Sequence, residues 1–481
     1  MPAAVAPTTK APNGTVNGCK PAKRTISRAS VPLTYPSQAL QFLEILDRDN
    51  SPSSDARLSS TEAAPARLKL NIVIVGAGLG GKLYRPFTLR SGRTNNHKVG
   101  AGIQIPPNSG RLLHRWGIFE HLQRSAVQPE AINFRRWEDG KVIGHTALGG
   151  AFEESYKVPY YVAHRAHFHE ALHQRALQLG VFIELGCKVV KYNERQGSVE
   201  LQNGGMRRGD LVVAADDDDH EPVFNGFAAY RATVDVKKMI DDPEINWILE
   251  KPTLNIWIGA DRHVMSYTIA AGESFNMVLS HVDHSDPATW TQRFAKEDVE
   301  AEFAGWDPKL TKIISLIDEC MKWPLKVGRP LKSWISRSSK LLLLGDAAHA
   351  MLPYMSQGAA MAVEDGAALA VVLNQISSLE ELPFALQCFE EERIKRSGDM
   401  QNASTVNGYI WHFPDGPEQK ARDAAMAAEV VGKHFTSSAN QWSDPVTQWW
   451  AYGYDAEEQM EEAWSRNIAR LIARVEGGVK L

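Results

Sequence analysis

The sequence predicts an α/β protein: a Rossmann-like nucleotide-binding domain, an inserted and mainly antiparallel β-sheet, and a helical C-terminal part. Three observations carry this prediction. The apolar run Leu68-Lys-Leu-Asn-Ile-Val-Ile-Val75 feeds into Gly76, Gly78 and Gly81. A second apolar run, Leu341-Leu-Leu-Leu-Gly-Asp346, precedes a glycine-opened helix far along the chain. Between them, from Val223 to Val282, the pattern changes to short alternating β segments.

Taken in order, residues 1–66 are rich in Ala, Pro, Ser, Thr and Asn and read as a disordered leader. This segment has no acidic residue before Glu44, as in a transit peptide, but prolines at positions 2, 7, 12, 21 and 32 spoil the amphipathic helix such a peptide needs. The protein is therefore placed in the cytoplasm. Residues 67–221 form the first part of the nucleotide domain, cut short at 82–98 and 216–221. Within them residues 70–75 read as a buried parallel strand and Ser109–His121 as a helix. Arg165–Gly180 reads as an amphipathic helix with Phe168, Ala171, Leu172, Ala176 and Leu179 near helical spacing. Short strands follow around Val181–Tyr192 and Leu211–Ala215. Residues 222–334 hold the antiparallel sheet, with strands at Phe224–Val234, Leu254–Ile258, Val264–Ala270 and Phe275–His281. Residues 335–400 return to the nucleotide domain, and 401–481 are helical, with Trp442, Trp449 and Trp450 as packing surface.

Composition narrows the function. A formal net charge of −4 gives no reason to expect nucleic acid or an anionic membrane as partner. Cys19, Cys187, Cys320 and Cys388 lack metal or redox spacing and fit a reducing compartment. No apolar stretch reaches the roughly 18 residues a membrane span needs.

The chemistry lies in the two glycine-bearing segments. A strand ending in GxGxxG lets a pyrophosphate approach bare backbone N–H groups at a helix N-terminus. The second segment repeats the device: Asp346 is placed to accept hydrogen bonds from sugar hydroxyls, and the helix opening at Gly358-Ala359 points its positive end at phosphate. An extended dinucleotide gripped at both ends of one domain points to FAD.

At these residues the chain resembles the FAD-dependent aromatic hydroxylases of the salicylate hydroxylase type, most closely the fungal members of secondary metabolism. The resemblance runs over roughly residues 70–460 and is strongest in Arg329-Pro-Leu-Lys-Ser-Trp334 and from Gly345 to Ala360. Gly102-Ile-Gln-Ile-Pro-Pro-Asn-Ser109 and His164-Arg165 also match. It implies that Arg165 contacts FAD and that the turn Gly100-Ala101-Gly102 lies against the flavin. It further implies NADH or NADPH as a transient reductant, O2, and transfer of one oxygen to an activated aromatic small molecule.

Arg231 lies in Phe227-Ala-Ala-Tyr-Arg-Ala-Thr-Val234, where alternation puts it on one face with Phe227, Ala229 and Thr233. An unpaired buried charge is costly, so Arg231 either forms an internal salt bridge or faces an anionic substrate. Tyr267 reads either as a core tyrosine or as a donor to the same cavity. Both resemble the Arg and Tyr with which fungal dearomatising phenol hydroxylases hold a phenolate, and they are the candidate catalytic pair.

Other features point elsewhere. His169-Glu-Ala-Leu-His173 is a literal HExxH, the pattern of a zinc hydrolase, with Glu184 or Glu194 as a third ligand. The run Asp216-Asp-Asp-Asp-His-Glu221 reads as a solvated loop. Two departures from the family also stand out. Lys82–Lys98 holds no credible second strand, and no acidic residue occurs between Glu62 and Glu120 to bind the adenosine ribose. After Asp216 the chain jumps to Pro222 where the family continues with Asp-Gly and a helix. A mis-annotated or inactive flavoprotein relative is the remaining alternative.

Overall fold

The computed structural model describes residues 67–76, 87–91, 102–215, 222–290 and 295–476. Gly78, Gly81, Gly100, Ala101 and the aspartate run from Asp216 lie outside the described residues, as does the leader.

A five-stranded parallel sheet is built from β1 (Ile72–Val75), β2 (Phe87–Ser91), β7 (Phe182–Leu185), β11 (Leu211–Ala214) and β17 (Leu341–Leu343), in the order β17-β11-β1-β2-β7. Its central strands, Ile-Val-Ile-Val and Leu-Val-Val-Ala, are apolar at every position because both faces are covered. On one face Ile72, Ile74, Leu211 and Val213 pack with Leu369, Val372, Phe389 and Met460 from C-terminal helices. On the other, Val73, Val75 and Val212 meet Val199. Val199 belongs to a three-stranded antiparallel sheet of β8 (Val189–Asn193), β9 (Ser198–Leu201) and β10 (Met206–Arg208).

β2 corrects an expectation. Phe87–Ser91 is a strand, parallel to β1 on one side and β7 on the other. Pro86 precedes it and Gly92 follows it, so these residues bound the strand rather than interrupt it. The missing ribose carboxylate stands, because the chain has no acid from Ala63 to Phe119.

A seven-stranded mixed sheet comprises β4 (Ala131–Arg136), β5 (Val142–Ala147), β12 (Val223–Asp235), β13 (Thr253–Gly259), β14 (Arg262–Ile269), β15 (Ser274–Val282) and β16 (Cys320–Val327). Its order is β16-β12-β15-β14-β13-β4-β5, antiparallel throughout except for β13 with β4. The four strands expected between Phe224 and His281 are present with ends within two residues; β4 and β5 join from the first part of the chain. One face buries Tyr230, Val234, Trp257, Val264, Phe275, Met277 and Leu279 against Leu310, Ile313 and Ile314 of a short helix.

A small antiparallel pair, β3 (Gly102–Ile105) with β6 (Tyr161–His164), approaches the opposite face of that sheet. The helix expected over Ser109–His121 is two helices, α1 (Pro107–Arg115) and α2 (Phe119–Leu122), parted at Gly117, whose φ of 68° ends the first. α3 (Arg165–Gln178) follows β6 directly and buries Phe168, Ala171, Leu172 and Ala176. The last segments that place the site are α4 (Asp346–His349), α5 (Gly358–Gln375) and α6 (Leu382–Trp411).

Candidate active site

In an antiparallel ladder, residues directly opposite share a face, as do residues two apart on one strand. Arg231 stands opposite Val278, Val278 opposite Met265, and Asn276 opposite Tyr267. Arg231, Asn276 and Tyr267 therefore point to one side, away from the core that holds Tyr230 and Met277. Onto this side comes β3. Gly102 donates its N–H to Asn276 Oδ1 at 2.6 Å, and Gln104 Nε2 lies 2.9 Å from Met265 Sδ. The Tyr267 ring rests against Gly102 so closely that a β-carbon there would stand 2.4 Å from a ring carbon. Gly102 and Tyr267, two of the residues singled out in the sequence, thus form one contact.

Among the described residues no carboxylate pairs with Arg231, and its buried Nε lacks a hydrogen-bond partner. Its guanidinium lies 6.0 Å from the Trp323 ring centre. Burial pushes its pKa down, the nearby Arg165 charge adds to this, and Tyr267 opposes it. Burial holds the Tyr267 hydroxyl well above its usual pKa against the pull of Arg231, so it is a neutral donor. Arg165 is the first residue of α3 and is exposed; His164, its N-cap, stands opposite Gly102.

The second glycine segment is braced by buried charge. Gly345, at φ 66°, turns the chain from β17 into α4 and presents an exposed Asp346. Asp365 on α5 accepts the Gly345 N–H at 3.1 Å, meets His349 Nε2 at 2.6 Å, and accepts Arg393 Nε at 2.9 Å. Glu364 accepts from Arg393 at 2.7 Å, Arg396 at 3.0 Å and Asn108 at 2.7 Å. Asn108 also donates to Gln357, the residue that precedes Gly358 at the opening of α5. Burial alone raises both carboxyls, but for Glu364 the two arginines, and for Asp365 His349 and Arg393, outweigh it and hold each below its ordinary pKa. One network thus ties the segment after β3, the Asp346 turn and the half-buried Gly358-Ala359 step. The signal for this network in the sequence is the pair Arg393 and Arg396, three apart on one helix and so on one cationic face.

Two further groups went unforeseen. Asn276 is fully buried with no acceptor for its Nδ2 among the described residues. His263, on the same side of the sheet as Tyr267, lies with Nδ1 2.8 Å from His412 Nε2 at the end of α6. Burial, followed by its neighbour, drives the His263 pKa well below the usual imidazole value, and burial with Arg422 lowers His412 to about 3.

These features suit an anionic dinucleotide. Gly76 has φ 103°, a conformation open to glycine and costly for other residues. Buried donors on Arg231 and Asn276 await acceptors, and α5 begins with a bare glycine. The HExxH histidines lie on α3, and among the described residues no group of three His, Cys, Asp or Glu could hold a metal.

Comparison with known proteins decides the family. A model described as "FAD binding domain" matches residues 221–404. The FAD-dependent monooxygenase OpS4 of Beauveria bassiana is 33% identical over 412 residues, covering 81% of this chain and 96% of its own. The chain belongs to the FAD-dependent aromatic monooxygenases of the salicylate hydroxylase type. Within that family, 3-amino-4-hydroxybenzoate 2-monooxygenase PtmB3 of Streptomyces platensis is 31% identical over 404 residues, 80% of this chain and 96% of that one. A salicylate hydroxylase in complex with its substrate has the same fold, with a TM-score of 0.65 at 21% identity over 82% of this chain and 98% of that one. This flavin-dependent monooxygenase is an oxidoreductase with FAD as cofactor, and NADH or NADPH is the family's reductant. Among the described residues no helix is long and apolar enough to cross a membrane.

Proposed function

We propose that this monooxygenase hydroxylates a phenolic small molecule with O2 and NADH or NADPH in the biosynthesis of a secondary metabolite. The observation that supports it is Arg231, a partly buried cation with no carboxylate partner among the described residues, on the side of the sheet that meets Gly102. A phenol is a strong carbon nucleophile as its phenolate, and a nearby desolvated cation favours that form. Tyr267, kept neutral by burial, orients the same oxygen by donating a hydrogen bond. PtmB3 is named for a substrate that carries a ring hydroxyl, which agrees with this choice.

In this reading residues 67–221 and 335–400 hold FAD and 222–334 face the substrate. Gly76, Gly78 and Gly81 receive the pyrophosphate, Ala101 and Gly102 the ring system, and Arg165 a further part of the cofactor. Asp346 accepts from a sugar hydroxyl, while Gly358 and Ala359 present helix N–H groups to phosphate. FAD supplies the oxygen-transfer chemistry; the chain contributes orientation, charge and exclusion of water.

The test is the visible spectrum of the purified protein, followed by NAD(P)H oxidation with a panel of phenols and phenolic acids. Flavin absorbance and phenol-stimulated oxidation with a hydroxylated product are expected. Bound flavin without turnover on any phenol favours the inactive relative instead.

A further inference from the structure

Asn276 is an unusual occupant of its strand. Asn is depleted in strand interiors, yet here it is fully buried between Phe275 and Met277. Its Oδ1 accepts the Gly102 N–H at 2.6 Å, while Nδ2 is buried with no acceptor among the described residues. Leaving such a donor unmade costs roughly 1–3 kcal/mol, a penalty removed when an acceptor enters the space it faces. That space is bounded by Gly102, by Tyr267 directly opposite in the ladder, and by Arg231 on the next strand. Arg231 has only hydrogens to give there, and the Tyr267 hydroxyl oxygen makes no hydrogen bond with Nδ2, so a bound molecule can supply the acceptor.

We infer that Asn276 positions the cofactor, pinning the Gly102 turn with its amide oxygen and donating its amide hydrogens to a polar atom of the bound flavin ring. This rests on the reading that the Gly102 turn receives FAD. The amide serves both sides at once, so the location of the turn and that of the ring are set by one rigid group.

Two substitutions separate the roles. Asn276→Asp keeps an acceptor for Gly102 N–H and removes the donor; Asn276→Leu removes both at similar volume. FAD is titrated into each apoprotein by flavin fluorescence, and the visible spectrum and midpoint potential of the bound flavin are recorded beside apoprotein melting curves. Both variants should bind FAD roughly tenfold more weakly, the effect of one lost hydrogen bond. The Asp variant should also have a more negative potential, because a carboxylate beside the ring opposes added electrons. Wild-type affinity, spectrum and potential in Asn276→Asp overturn the donor role, whatever Asn276→Leu does. Should the Leu variant not fold, the Asp variant alone decides. A wild-type protein that takes up no FAD overturns the cofactor reading itself, which distinguishes that failure from this one.

Discussion

Tyr267 and Gly102 are packed so tightly that the glycine leaves no room for a side chain: a β-carbon would stand 2.4 Å from one ring carbon and 2.7 Å from the hydroxyl oxygen. Gly102→Ala should therefore displace the ring and destabilise the protein by about 1–3 kcal/mol, the usual cost of overpacking. Chemical denaturation of Gly102→Ala in the wild-type and Tyr267→Ala backgrounds checks the cause. The alanine should cost much less once the ring is gone; an equal penalty in both backgrounds means that the contact with Tyr267 is not responsible.

The second glycine segment separates a contact from its support. Asp346 is exposed at the start of α4, so Asp346→Ala should leave the fold intact and weaken FAD binding by about 1.5–3 kcal/mol, roughly tenfold to over a hundredfold. Asp365 is fully buried and neutralises Arg393. Asp365→Asn leaves that cation under-compensated and should cost about 3–5 kcal/mol of stability as well as loosening the Gly345 turn. Denaturation curves and FAD titrations of both variants distinguish the two. A wild-type flavin dissociation constant in Asp346→Ala removes Asp346 from the site.

What the sequence revealed follows physical lines. Strands between Phe224 and His281 were legible because one face of each packs on a core and the alternation survives. Two strands were hidden for different reasons. Phe87–Ser91 is short and hemmed by Pro86 and Gly92, so its neighbours in sequence look like a loop. Ala131–Arg136 ends in two arginines, which break the alternation, and it is fixed by pairing with β13 more than a hundred residues away. Among the proposed site residues, the glycines and Asp346 announce themselves by motif. Asn276 does not, because a lone asparagine carries no periodic signal; only the closeness of Gly102, far away in sequence, gives it a task. Arg231 and Tyr267 share a face because of register across β15, which no single strand's pattern contains.

The His263–His412 pair predicts how stability varies with acidity. Both imidazoles are neutral in the fold, with His412 lowered to about 3 and His263 also lowered, chiefly by burial. An unfolded histidine takes a proton near pH 6.5. Below that pH the unfolded state binds more protons than the native one, so stability present above about 6.5 is lost as pH falls toward the folded values. Each such histidine contributes a slope of roughly 1.4 kcal/mol per pH unit over that window. Urea denaturation of wild type and His412→Gln at several values between pH 7.5 and 5 measures this. The variant should show a shallower fall; parallel curves would mean that His412 is not buried neutral in the native protein.

Arg231 gives the sharpest test of the proposed chemistry. If its charge lowers the pKa of a bound phenol, then without that charge the phenol ionises only at higher pH. Arg231→Gln should accordingly keep FAD binding, slow hydroxylation, and move the pH optimum upward. Tyr267→Phe removes a donor and no charge, so its pH optimum should stay in place. The loss should appear instead as poorer positioning, with NAD(P)H consumed and hydrogen peroxide released in place of product. Rate, pH profile and the ratio of product to NAD(P)H consumed, measured in both variants with one accepted phenol, separate these effects. An unshifted optimum in Arg231→Gln rules out phenolate stabilisation by that arginine, and full coupling in Tyr267→Phe makes the tyrosine a packing residue for Gly102 alone.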